Sequence, residues 1–83
     1  MTLDIRVAGP GCKNCKELEA RVHTALEQLA AEATVTKLTD FKDIAAAGVL
    51  TTPGLIINGK VAVQGRVPTV DDIKDLLAGT IRA

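Results

Sequence analysis

Gly9-Pro10-Gly11-Cys12-Lys13-Asn14-Cys15-Lys16 joins two different periodicities and sets two thiols three residues apart at the junction. Before it, Leu3, Ile5 and Val7 alternate with Asp4 and Arg6, the two-residue period of a short strand. Gly9, Pro10 and Gly11 break that alternation and turn the chain. After it, Leu18, Val22, Ala25, Leu26 and Leu29 recur along one face of a helix expected from about Lys13 to Glu32. Cys12 therefore precedes the first helical turn, and Cys15 heads the buried stripe.

Those positions imply different roles. A helix N-terminus offers unpaired amide N–H groups and the positive end of the macrodipole, both of which favour an anion. Lys13 and Lys16 add positive charge, so the thiol of Cys12 is expected to ionise more readily than usual. An unperturbed thiol is about 3% thiolate at neutral pH, and one whose pKa falls to about 7 is half thiolate. Nucleophilicity falls along with pKa and returns roughly fivefold of that roughly fifteenfold gain. The larger consequence is that Cys12 leaves easily from a mixed disulfide, which Cys15 attacks from within the same turn. Cys12 is thus the expected nucleophile and Cys15 the expected resolving thiol.

Working outward, the 83 residues suffice for one domain spanning 1–83, close to the size at which a hydrophobic core still holds without staples. Hydrophobic residues make up 47%, yet Phe41 is the single aromatic, so packing rests on Leu, Ile, Val and Ala. Formal net charge is zero and neither end carries a charge block, which argues against nucleic acid or an anionic membrane as partner. No apolar run approaches the roughly 20 residues of a membrane helix, and no signal peptide is read at the N-terminus, so a cytoplasmic location is expected. In that compartment the cysteines make a poor structural staple. Closing so short a loop removes only about 2 kcal/mol of unfolded-state entropy, and thiols there are kept reduced.

Along helix 1, Glu17, Glu19, Arg21, Glu27 and Gln28 take the wet faces, and His23 reads as a solvated histidine. Val35 to Thr39 form a β-rich run, expected to lie parallel to the first strand because a long helix connects them. Asp40 caps a short helix from Phe41 to Ala47, ended by Gly48, with Phe41, Ile44, Ala45 and Val49 facing the core. Asn58-Gly59 between Leu55–Ile57 and Lys60–Val63 signals a type I′ hairpin, closed by Gly65. Thr69 caps a last helix with Asp71 and Asp72 in its first turn, Val70, Ile73, Leu76 and Leu77 buried, and Gly79 as its stop. The order β-α-β-α-β-β-α gives an α/β fold, a four-stranded mixed sheet flanked by helices. Cys12 then sits at the carboxyl end of a strand, where open α/β sheets place their chemistry.

A C-x-x-C opening a helix after a strand, followed some forty residues later by Thr51-Thr52-Pro53 before a hairpin, resembles the thioredoxin and glutaredoxin superfamily. It is most similar to the small redox-active disulfide proteins, which have a minimal thioredoxin-like fold. The resemblance implies a cis peptide bond before Pro53, a loop opposite Cys12, and a Thr52 backbone that pairs with an extended substrate segment. It further implies a thiol–disulfide oxidoreductase or electron carrier that needs no cofactor. The substrate would be a disulfide-containing protein or small molecule, with a reductase or low-molecular-weight thiol as electron donor. The chain departs from that pattern where thioredoxins carry a tryptophan, here Gly9-Pro10-Gly11, and where they keep a proline between the cysteines, here Lys13-Asn14. Arg6 stands where thioredoxins have the buried strand carboxylate that moves protons, which leaves open what assists Cys15. Gly65-Arg66-Val67-Pro68-Thr69 is only loosely similar to the glutathione-binding segment of glutaredoxins, and Arg66 reads as solvated.

The competing reading is a soft-metal carrier. Residues 5–29 also resemble heavy-metal-associated domains, in which two thiolates such as Cys12 and Cys15 would bind Cu(I), Hg(II) or Zn(II), with Lys16 compensating charge. Those domains end on a strand, whereas a helix is expected here from Thr69 to Ala78.

Overall fold

The first strand carries the whole arrangement, because it is hydrogen-bonded along both of its edges. In the computed structural model, which describes residues 3–11 and 13–82, β1 (Leu3–Ala8) pairs with β2 (Ala33–Leu38) on one side and β3 (Gly54–Ile57) on the other. The β1–β2 pair is parallel, from Leu3↔Ala33 to Ala8↔Leu38, and the β1–β3 pair antiparallel, from Ile5↔Ile57 to Ala8↔Gly54. Strand β4 (Lys60–Gln64) completes the order β2-β1-β3-β4. Helices α1 (Lys13–Leu29), α2 (Phe41–Ala46) and α3 (Val70–Arg82) fill the expected sequence of elements.

Alternation in β1 decides which helix covers which face. Leu3, Ile5 and Val7 pack with Leu18, Val22, Ala25 and Leu26 of α1 and with Ile73 and Leu77 of α3. Ala8 faces the other way, into a smaller cluster with Ile44, Val49 and Ile56 under α2. At about 25 cal/mol per Å² of apolar area, complete burial of side chains such as Ile5, Leu18, Ile73 and Leu77 contributes about 1.5–3 kcal/mol each.

The hairpin turn is of the expected type, with positive φ at Asn58 (50°) and Gly59 (85°). The turn is also tied to β1: the Asp4 amide donates to Asn58 Oδ1 (2.9 Å) and the Asn58 amide to the Asp4 carbonyl (2.7 Å). Leu55 pairs with Val63 but Ile56 with Val61, so Ala62 is the extra residue of a bulge in β4.

Several expectations need correction. Helix α1 ends at Leu29 rather than Glu32, because Ala30 turns left-handed (φ 51°) and the Ala30 and Ala31 amides cap Glu27 and Leu26 carbonyls. Phe41 and Ala45 are exposed, Phe41 to 69%. Helix α2 has fewer than two turns of about 3.6 residues, so Ile44 and the half-buried Ala47 cover its patch of sheet without them. Gly79 does not stop α3, which continues to Arg82. An interior glycine costs about 1 kcal/mol, less than the burial of Ile73 and Leu77 returns. Arg21, read as solvated, reaches across: its Nη1 donates to the Pro68 carbonyl at 3.0 Å while Nη2 pairs with Glu17 Oε1 at 2.6 Å. It thereby ties α1 to the loop that leads into α3.

Both helix N-caps are as expected. Asp40 Oδ1 accepts from the Lys42 amide (2.9 Å) at the start of α2. Thr69 Oγ1 accepts from the Asp72 amide (3.1 Å), and Asp72 Oδ2 accepts from the Thr69 amide (3.4 Å), a reciprocal cap on α3.

Candidate active site

The parallel ladder runs one residue past β1, where the Gly9 amide donates to the Leu38 carbonyl at 2.8 Å. Pro10 ends it by having no N–H to offer, and Gly11 turns the chain with φ 93°, a conformation other residues rarely adopt. Helix α1 then begins at Lys13. Cys12, the expected nucleophile, immediately precedes that helix in sequence and lies outside the described residues.

Cys15, the expected resolving thiol, is the third residue of α1 and is 5% exposed. Its sulfur is in a disulfide, so the structure is that of the oxidised protein. Gly9 makes room for it. A Cβ built on Gly9 would overlap Cys15 Sγ outright and stand 2.9 Å from Cys15 Cβ. Lys13 and Lys16 are both exposed, Lys16 beside the cavity described below.

The second part of the site comes from the far side of β1. Ala8, its last residue, pairs with Gly54, the first residue of β3, so Gly9 and Pro53 flank one pair of neighbouring residues. Pro53 is buried, Thr52 half-buried, and the Thr52–Pro53 peptide is cis, as the resemblance implied. The end of β4 holds this loop. Gln64 Oε1 accepts from the Leu50 amide (2.8 Å) and the Thr51 amide (3.4 Å). The Gly65 amide donates to the carbonyls of Thr51 (3.1 Å) and Pro53 (2.9 Å). Sequence reasoning missed Gln64, since a glutamine ending an edge strand carries no signal of what its amide will reach.

A cavity of about 120 Å³ adjoins Cys15, lined among others by Gly9, Lys16, Glu19, Lys37 and Thr39. Among that lining, Lys37 Nζ, on a side chain 64% exposed, pairs with Glu19 Oε2 at 3.1 Å, and the Glu19 side chain is 23% exposed. The helical pattern alone puts Glu19 on a wet face. Its spacing of four from Cys15, one helical turn on the same face, is the signal in the sequence that sets it beside that sulfur. Arg6 is elsewhere, paired with Asp4 Oδ2 at 3.5 Å.

The soft-metal reading finds no support. The last element is α3 where that fold needs a strand. His23 and Arg66 are exposed, as expected. Among the described residues no helix is long and apolar enough to cross a membrane.

Comparison with known proteins agrees with this geometry. Residues 3–78 match the family model of the thioredoxin domain. A thioredoxin of Methanothermobacter thermautotrophicus is 33% identical over 76 residues, covering 92% of this chain and 99% of that protein. One from Methanocaldococcus jannaschii is 36% identical over 73 residues, covering 88% and 84%. The solved structure of a mutant thioredoxin from Halobacterium salinarum superposes with a TM-score of 0.70 at 27% identity, over 93% of this chain and 73% of that one.

Proposed function

The chain belongs to the thioredoxin domain family, and from that premise we propose that its thiol–disulfide exchange runs through Cys12 and Cys15 in distinct roles. As a member at this level of identity it is a thiol–disulfide oxidoreductase, and the family acts on disulfides with a reductase as partner. The observation that carries the assignment is the burial of Cys15, oxidised, in the first turn of α1. A sulfur so placed is poorly suited to meet a substrate and well suited to a second, internal attack.

In the proposed cycle the Cys12 thiolate attacks one sulfur of a substrate disulfide and expels the other as thiolate. Cys15 loses its proton and attacks Cys12 Sγ of the mixed disulfide, releasing the second substrate thiol as the internal disulfide forms. Two electrons pass to the substrate, and a reductase or low-molecular-weight thiol returns them. The helix N-terminus, with Lys13 and Lys16 nearby, favours the thiolate of Cys12 as nucleophile and as leaving group. Thr52 and Pro53, at the mouth of β3 beside the end of β1, offer a backbone edge for an extended segment of a protein substrate. The working location in this reading is the cytoplasm, where thiols are held reduced and such a disulfide turns over.

Mixing each single variant with a disulfide substrate tests the roles. Cys15→Ser should trap a mixed disulfide on Cys12, visible by mass spectrometry without reductant, and Cys12→Ser should trap none. Trapping by Cys12→Ser alone would reverse the assignment.

A further inference from the structure

The buried sulfur of Cys15 has to lose a proton before it attacks, and burial disfavours the thiolate. At 5% exposure Cys15 has little surface of its own open to solvent, and an acceptor on the cavity it lines can reach it. We propose that Glu19, held by Lys37, is that acceptor and takes the proton of Cys15 through the cavity the two residues share. The proposal rests on the assignment of Cys15 as resolving thiol.

Three observations converge on Glu19. It is the single carboxylate among the described lining of the cavity, alongside the cations Lys16 and Lys37, which have donors but no acceptor. It lies four residues from Cys15 on α1, so both side chains rise from the same helical face. Lys37, reaching from β2, pairs with Oε2 at 3.1 Å, which fixes the carboxylate while using one of its two oxygens. The residue six before Cys12 is Arg6, which is not on the cavity and has no lone pair to offer.

The cavity also suits the transfer. A water needs about 10–15 Å³, and about 120 Å³ is present, so proton movement through an intervening water is accommodated. The step balances: Cys15 Sγ–H gives its proton to the Glu19 carboxylate, and the thiolate pair attacks Cys12 Sγ. The Cys12–substrate S–S bond breaks as the Cys12–Cys15 bond forms. The expelled substrate thiolate is protonated by Glu19 or by solvent. When a donor later reduces the internal disulfide, protonated Glu19 can return a proton to the departing Cys15 sulfur. Lys37 is a positioning residue here, acting through Glu19.

The steps separate when reduced protein is mixed with 5,5′-dithiobis(2-nitrobenzoate) in a stopped-flow instrument. The first release of coloured thiolate reports attack by Cys12, and the second reports resolution by Cys15. At neutral pH, Glu19→Gln should slow the second release by at least about tenfold while the first stays within about twofold. Its second release should also rise about tenfold per pH unit as hydroxide replaces the missing base. Glu19→Asp should recover part of the rate, and Lys37→Met should slow the second release less than Glu19→Gln does. A Glu19→Gln protein whose second release matches wild type across the pH range would overturn the proposal. Failure of the underlying assignment looks different: Cys12→Ser, and not Cys15→Ser, would keep the fast first release, and the proposal would fall with it.

Discussion

Gly9 and Cys15 lie so close that no side chain fits between them: a Cβ on Gly9 would overlap the Cys15 sulfur. The glycine is needed here for proximity, since its φ is not among the positive ones. Gly9 is also fixed by its own amide, which bonds the Leu38 carbonyl at 2.8 Å, so it cannot retreat without breaking the ladder. Gly9→Ala should therefore push Cys15 out of place and lower the stability of the oxidised protein by about 1–3 kcal/mol, the range for overpacking. Guanidinium unfolding of the oxidised variant measures the loss, and disulfide-reductase turnover should fall in parallel. A variant as stable and as active as wild type would show that the contact relaxes freely.

Ala30 ends α1 in a conformation that suits glycine. Its φ of 51° is left-handed, and its amide and that of Ala31 cap the carbonyls of Glu27 (3.2 Å) and Leu26 (3.1 Å). The left-handed region costs an L-residue about 1–2 kcal/mol, which glycine avoids. Ala30 is exposed, so no packing is lost on truncation. Ala30→Gly should raise stability by about 1 kcal/mol and the melting temperature by about 4–8 °C. Thermal unfolding followed by circular dichroism reads this directly, and a melting temperature that falls would show that the unfolded chain's added freedom outweighs the relieved strain.

The two glycine questions show where sequence was informative. Asn58-Gly59 was decisive because a type I′ turn requires positive φ at both positions and few residue pairs supply it. Ala30 was invisible because its terminus uses backbone bonds that any residue can make. Gly79 misled because a glycine near a helix end usually marks the stop, yet here α3 runs on to Arg82. The cis peptide before Pro53 came from family resemblance alone, since nothing in Thr51-Thr52-Pro53 itself demands it. Long-range contacts were the least legible part. Lys37 meets Glu19, Arg21 meets Pro68 and Gln64 meets Leu50 only after the sheet and helices are assembled. A polar residue on an amphipathic helix or edge strand looks solvated until its neighbour arrives.

Gln64 tests whether the loop before β3 is held from outside. Its Oε1 accepts from the amides of Leu50 (2.8 Å) and Thr51 (3.4 Å), and the next residue, Gly65, donates to Thr51 and Pro53 carbonyls. The side-chain bonds are exposed, so their net worth is about 1 kcal/mol rather than the larger figure for a buried pair. Gln64→Ala leaves the Gly65 contacts in place and removes only the amide clamp on residues 50 and 51. Amide hydrogen exchange should quicken about fivefold at Leu50 and Thr51, the factor that about 1 kcal/mol implies, while exchange in β1 stays as it was. Because Thr52 and Pro53 are the proposed edge for an extended substrate, the KM for a protein disulfide should rise severalfold with little change for a small disulfide. Equal changes for both substrates would place the effect of Gln64 on the cysteines instead of on the loop.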